Sequence, residues 1–278
     1  MTKNILMIGD IVGSAGVAAL RKQLPELKKK YDASFVVANG ENVADGFGIT
    51  ESDAKVLFAC GVDVITTGNH VWERREFWDY LEKEQFVLRP ANYPKITGIA
   101  CEQKELQHDD IQTISKIPGH GFISLKKDDV MYTVINVQGR QSLYIIDCPF
   151  KCFDAIYDNL SDDQNSGIIL VDFHAEVCEE KESFSFYLDG RATVVAGTHT
   201  HVQTADEKIM PRGTAYITDL GMTGVHDSVI GMKKEICIER SKTNVLYKME
   251  CAEGDGCVDG ICVTVDTEYG KAIEIKRL

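Results

Sequence analysis

Apolar, β-branched runs closed by glycine-flanked polar turns recur along the first half of the chain. NILMIGD (4–10) leads into SAGVAALRKQLPELKKKY, SFVVANGEN (34–42) into TESDAKVLFAC, and VDVITTGNH (62–70) into ERREFWDYLEKE. Each round reads as a buried strand, a short polar loop and a helix, the alternation that builds an α/β sheet. Thr50 and Asp53 stand as N-cap and first-turn acid of the second helix, whereas Pro25 is expected to kink or split the first. From VLRPANYP (87–94) onward the pattern turns to short strands, and KIPGHGFISLKKDDVMYTVINVQGR predicts antiparallel pairing around a turn at KKDD. A second α/β round follows, with strands at SGIILVDFHAE (166–176) and ATVVAG (192–197), and Gly-rich turns near the C-terminus predict a meander. No linker or low-complexity tract interrupts this order, so one domain over residues 1–278 is expected, with roughly 95–165 an excursion within it.

Composition narrows the partners. A chain of 278 residues with 44% hydrophobic content can fill a sizeable core. The formal charge of −13 argues against a duplex nucleic-acid surface, so an anionic substrate would need local positive charge, which bound cations supply. No apolar run approaches the roughly 20 residues of a membrane span, and the N-terminal run meets Gly9 and Asp10 too soon for a secretory segment. No membrane partner and a cytoplasmic location are therefore expected. Nine cysteines with no CxxC pair read as reduced thiols.

The polar residues that close the strands share one chemistry. Asp10 follows LMIG, Glu41 and Asn42 follow VVANG, Asn69 and His70 follow ITTG, His174 follows ILVDF, and His199 and His201 follow VVAG. Ligands in open α/β sheets bind at the carboxyl ends of strands. Each residue alone has a bland alternative as N-cap, turn residue or core histidine. Five strand ends bearing oxygen or imidazole donors point instead to one shared site. In GTHTH, an extended segment would bring His199 and His201 to the same side. Imidazole mixed with carboxylate and amide oxygens suits iron, manganese or zinc better than calcium.

GD (9–10), GEN (40–42), GNH (68–70), His174 and GTHTH (197–201) together resemble the ordered motifs of calcineurin-like metallophosphoesterases. IGDIVGSAG, ANGENVADGFGIT, TTGNHVWERRE, RPANYP, NVQGR, VDFHAE, DGRATVVAGTHTHVQTAD and GTAYITDLGMTG are similar to the bacterial YmdB-like subfamily, over nearly the whole chain. Where the broader superfamily has Asp-x-His this chain has Val12, and where it has a bridging Asp this chain has Glu41, departures the subfamily shares. The resemblance implies an α/β fold, a four-layer αββα sandwich with two mixed β-sheets. It also implies two metal ions, with Glu41 bridging, Asp10, Asn42 and His201 on one, and Asn69, His174 and His199 on the other. The implied reaction is cyclic-nucleotide hydrolysis (2′,3′-cyclic, 3′,5′-cyclic or both) by a metal-bridging hydroxide. His70 would give a proton to the leaving oxygen, or merely orient or shield the metals. A phosphomonoesterase or nucleotidase, and a nucleotide sensor without turnover, are the alternatives, and a homo-oligomer (dimer or tetramer) is implied.

Phosphate needs further donors, and Gly-flanked Arg140 and Arg191 are candidates, with surface ion pairs the alternative. Asp172 and Asp189 are candidates to support a ligating histidine or an arginine. ADGFGIT (44–50), with Phe47 at its centre, reads as a loop over the base or a plain turn.

Overall fold

The computed structural model describes residues 1–94 and 117–278, so part of the expected excursion, 95–116, lies outside the described residues. The first sheet holds β1 (Thr2–Ile8), β3 (Ala33–Asn39), β4 (Val64–Thr66) and β5 (Val87–Leu88) in parallel, with β14 (Gly260–Asp266) and β15 (Lys271–Arg277) antiparallel at one edge, in the order β15-β14-β1-β3-β4-β5. The second holds β7 (Val130–Gln138), β8 (Ile168–His174), β9 (Val194–Thr198) and β11 (Ala215–Ile217) in parallel, flanked by antiparallel β6 (Phe122–Lys127) and β10 (Lys208–Ile209). A small third sheet joins β2 (Asp10–Ile11), β12 (Met222–Gly224) and β13 (Cys257–Val258). The helices are α1 (Gly13–Tyr31), α2 (Glu51–Cys60), α3 (Trp78–Lys83), α4 (Pro149–Tyr157), α5 (Asp162–Asn165), α6 (Cys178–Leu188) and α7 (Lys234–Thr243).

Strand alternation explains the layers. Leu6, Ile8, Val36 and Ala38 face one way, onto Leu20 and Leu24 of α1 and Leu57 of α2. Their neighbours Ile5, Met7, Phe35 and Val37 face the other way and meet Tyr132, Val134, Leu170 and Val194 of the second sheet. Phe35 and Tyr132 stack there with ring centroids 4.2 Å apart. The outer face of the second sheet, with Ile169, Val171 and Phe173, packs on Phe153 of α4 and on Phe184 and Leu188 of α6. Helices, sheet, sheet and helices thus form the four layers expected, both sheets mixed. Because the odd positions of β8 face its helices, Asp172 and His174 point between the sheets.

Thr50 caps α2 in a full capping box with Asp53, and the KKDD turn joins β6 to β7 with Asp128 and Asp129 both at positive φ. Other expectations need correction. Pro25 does not split α1, which runs unbroken from Gly13 to Tyr31. Its missing N–H removes one internal bond, and Leu20 and Leu24, packed on the sheet, hold the helix together across it. The expected C-terminal meander is reduced to the antiparallel pair β14 and β15, because β13 pairs with β12 in the small third sheet. The eight described cysteines are free, and no helix among the described residues is long and apolar enough to cross a membrane.

Candidate metal centre

The carboxyl ends of the parallel strands meet where the two sheets face each other. Glu41, just past β3, is fully buried, and its Oε1 lies 3.0 Å from His174 Nε2. Asn69 Oδ1, from the turn after β4, lies 2.9 Å from the same nitrogen. His199 joins them: one donor atom each from Glu41, His174 and His199 falls within 4.8 Å of the others. Beside this group, Asn42 Nδ2 is 3.1 Å from His201 Nε2 and 3.4 Å from Asp10 Oδ1, and His201 Nε2 is 3.7 Å from Asp10 Oδ1. Asp10 Oδ2 accepts the His199 amide at 3.1 Å and so ties the two groups together.

Glu41 Oε1 is buried, and among the described residues it meets no donor other than the His174 nitrogen. A carboxylate oxygen, an amide oxygen and an imidazole nitrogen crowded at such distances repel unless a proton or a cation sits among them. In the metal-free chain the proton does so. Burial drives the His174 imidazole down, but the Glu41, Asp10 and Asp172 carboxylates overcome it and raise its pKa to about 9. Burial likewise pushes Glu41 up, and His174 beside it wins, holding the carboxyl at about 2. Burial raises the pKa of Asp10. His199 falls to about 3, through burial first and its neighbouring imidazole second. A divalent cation would replace the His174 proton, and these residues fit it: carboxylates, amide oxygens and imidazoles are the donors that manganese, iron and zinc take.

Hydrogen bonds fix which nitrogen faces the cluster. Asp172 Oδ2 accepts from Thr66 Oγ1 at 2.5 Å and from Asn39 Nδ2 at 3.2 Å, and its Oδ1 accepts from Thr198 Oγ1 at 2.7 Å. Thr198 has then spent its one proton, so its oxygen accepts Nδ1–H of His174 at 2.9 Å, leaving Nε2 towards Glu41. His201 Nδ1 donates to the Ile230 carbonyl at 2.8 Å, which likewise turns its Nε2 inward. Gly68 is required by the close approach of the turn after β4: a Cβ there would sit 2.2 Å from the His174 ring.

His199 and His201 do not sit on an extended segment. Strand β9 stops at Thr198, and the two residues have φ of +100° and +64°, conformations costly for side chains other than glycine. The loop is held by its amides. Asp219 Oδ2 accepts from Thr200 N at 3.1 Å and from Lys181 Nζ at 2.7 Å, and its Oδ1 accepts from Gly221 N at 2.9 Å. Neither Lys181 nor Asp219 was singled out by the sequence. Both are buried, so Asp219→Ala leaves an unpaired ammonium in the core and is expected to cost about 3–5 kcal/mol of stability, read from urea unfolding.

The His70 amide donates to Glu41 Oε2 at 3.0 Å, while its ring meets the edge of Phe47 at a centroid distance of 5.1 Å and its Nδ1 stands 3.6 Å from Glu73. Glu176 Oε2, a residue the sequence reading missed, is 3.1 Å from His199 Nε2; its only sequence signal is its place two residues after His174. Arg140 is exposed just past β7, next to the strand that carries His174. Arg191 is not brought to the cluster. It precedes β9, about 15 Å of strand away from His199, and pairs with Asp154 at 2.8 Å among the rings of Phe153, Tyr157 and Tyr187. Asp189 sits at that same remote end and accepts the Arg212 amide at 3.1 Å, so it supports no histidine of the cluster.

Comparison with known proteins fits this geometry. A 2′,3′-cyclic-nucleotide 2′-phosphodiesterase of Bacillus subtilis is 40% identical over 274 residues, covering 99% of this chain and 96% of the relative. The crystal structure of a novel phosphatase from Mycoplasma pneumoniae superposes with a TM-score of 0.87 at 28% identity, over 100% of this chain and 93% of that one. The NAD nucleotidase of Haemophilus influenzae shares the fold, with a TM-score of 0.60 at 15% identity over 100% of this chain and 55% of its own. The sequence profile described as YmdB-like protein matches residues 6–278. A match of that extent takes in every strand end of the cluster, and the chain belongs to the YmdB-like family.

Proposed function

We propose that this protein is a metal-dependent phosphodiesterase that hydrolyses cyclic nucleotides, with 2′,3′-cyclic monophosphates as its main substrates. The observation that carries the proposal is the Glu41–His174–His199 cluster, in which buried Glu41 and His174 crowd donor atoms at 3.0 Å, in a chain 40% identical to a relative named for that reaction. Glu41 would be shared by two ions, with Asp10, Asn42 and His201 on one side and Asn69, His174 and His199 on the other; iron or manganese suits this set, with zinc next. Bound there, the ions supply positive charge to the phosphate oxygens and an activated water.

The chain's own residues do the rest. Asp172 and Thr198 keep His174 in one tautomer, and the Asp10 and Asp219 carboxylates hold the His199–His201 loop by its amides. His70 stands beside the cluster with its amide on Glu41. Its imidazole gives a proton to the ribose 2′ oxygen as the P–O2′ bond breaks, and water supplies the new oxygen on phosphorus, so the product is the 3′-monophosphate. Arg140, exposed just past β7 beside the end of β8, would meet a phosphate oxygen. Product analysis tests the reading: 2′,3′-cyclic AMP goes to 3′-AMP, and bis-p-nitrophenyl phosphate is cleaved faster than p-nitrophenyl phosphate. The reverse order with the two nitrophenyl esters would favour a phosphomonoesterase.

The metal-free proton on His174 has a measurable consequence. Because the imidazole keeps that proton below about 9, each binding event in the neutral range releases it, and affinity rises as pH rises. Calorimetric titration of manganese is expected to show apparent affinity climbing about tenfold per pH unit between about pH 6 and about pH 8, with proton uptake by the buffer.

A further inference from the structure

Phe47 touches His70 with its ring edge and also lines a cleft of about 790 Å³. In a chain of net charge −13, the cleft wall carries Arg74, Lys233, Arg240 and Lys248 against three carboxylates, Asp45, Glu250 and Glu253. Two of these charges are spoken for. Lys233 Nζ is 2.9 Å from Glu250 and 3.6 Å from Glu253. Arg74 donates to the Ala44 carbonyl at 2.7 Å and the Phe47 carbonyl at 3.1 Å, and lies 3.4 Å from Asp45, so it braces the loop that holds the Phe47 ring. Arg240 and Lys248 have no carboxylate within 4.0 Å among the described residues. One guanidinium nitrogen of Arg240 instead donates to the carbonyl of Tyr247, whose half-exposed side chain also lines the cleft.

A cyclic mononucleotide with a free 5′ hydroxyl carries one negative charge, on the phosphate that reacts. Arg240, which has no carboxylate in contact, Lys248, whose charge acts on Glu250 without touching it, and two aromatic side chains, beginning at a ring in contact with His70, have nothing to bind in such a molecule. Basic walls interleaved with aromatic rings are how proteins hold a single nucleic-acid strand. We propose, resting on the phosphodiesterase reading above, that this cleft is a subsite for a further phosphate on the 5′ side of the cyclic phosphate. Its occupant is the penultimate nucleotide of a short oligoribonucleotide ending in a 2′,3′-cyclic phosphate. Arg240 and Lys248 bind the bridging phosphate, and Phe47 and Tyr247 flank the bases.

Three substrates separate the sources of that phosphate: 2′,3′-cyclic AMP, the same nucleotide bearing a 5′ phosphate, and ApA ending in a 2′,3′-cyclic phosphate. The dinucleotide is expected to have kcat/KM about tenfold above cyclic AMP, the gain of one charge-assisted contact or more. The 5′-phosphorylated mononucleotide is expected to fall between them. Arg240→Ala with Lys248→Ala removes the preference and leaves turnover of 2′,3′-cyclic AMP unchanged; exposed Lys248→Ala alone gives part of the same effect without risk to the fold. Equal kcat/KM for all three substrates, or a preference that survives the double substitution, would overturn the subsite. If none of the three is hydrolysed, the phosphodiesterase reading falls instead. Calorimetric binding of the dinucleotide to the wild-type and doubly substituted proteins then decides the subsite by itself, and equal affinity would sink it.

Discussion

Glu41→Gln abolishes turnover and weakens metal binding while the fold survives. The substitution keeps the shape of the side chain and changes two things. It removes the negative charge that faces His174 at 3.0 Å, and it can place an amide donor where Oε1 now faces the His174 nitrogen. In the proposed centre Glu41 would be shared by two ions, so its charge would be lost to both, and Lewis-acid stabilisation worth several kcal/mol with it, about 10³-fold or more in kcat. Metal analysis after dialysis is expected to find at least one equivalent missing, and the metal-free protein stays folded with a thermal midpoint below that of wild type, because the carboxylate that holds the buried His174 proton is gone. A Glu41→Gln protein that keeps two equivalents and most of its rate would remove Glu41 from the centre.

His70→Ala gives the second large effect, with a different signature. His70 hydrogen-bonds Glu41 through its backbone amide, at 3.0 Å, and alanine keeps that amide. Metal content is therefore expected to stay at the wild-type level while kcat on 2′,3′-cyclic AMP falls about 10²–10⁴-fold, the range for a lost general acid. With a p-nitrophenyl ester, whose leaving oxygen needs no proton, the loss shrinks. A metal content that falls in step with the rate would instead make His70 a residue that holds the ions.

Much of this site is written in the strand ends. A β-branched run fixes a buried strand, the glycine after it allows a tight turn, and the next side chain is then delivered to the sheet edge, which located Asp10, Glu41 and Asn69, while His174 is itself the last residue of its strand. Asp172 was legible for the same reason, two positions before His174 on the same strand face. The conformation of GTHTH was not. Positive φ at His199 and His201 is imposed by bonds from Asp10 and Asp219, far away in sequence. Lys181 could not be read as buried because α6, CEEKESFSFYL, mixes charged and apolar residues with little helical periodicity. Arg191 carries a lesson in direction: DGR comes before its strand, whereas every residue of the cluster ends or follows one. The four layers came from the family resemblance, since alternation reports that a strand is buried on both faces and leaves open what covers each.

The most direct test is a manganese titration of chelator-stripped protein, with hydrolysis of 2′,3′-cyclic AMP followed at each addition. The account predicts no hydrolysis at the start and a rate that reaches its plateau at two equivalents bound per chain. Undiminished hydrolysis by the metal-free protein, or two bound equivalents with no cyclic phosphodiester turned over, would contradict it.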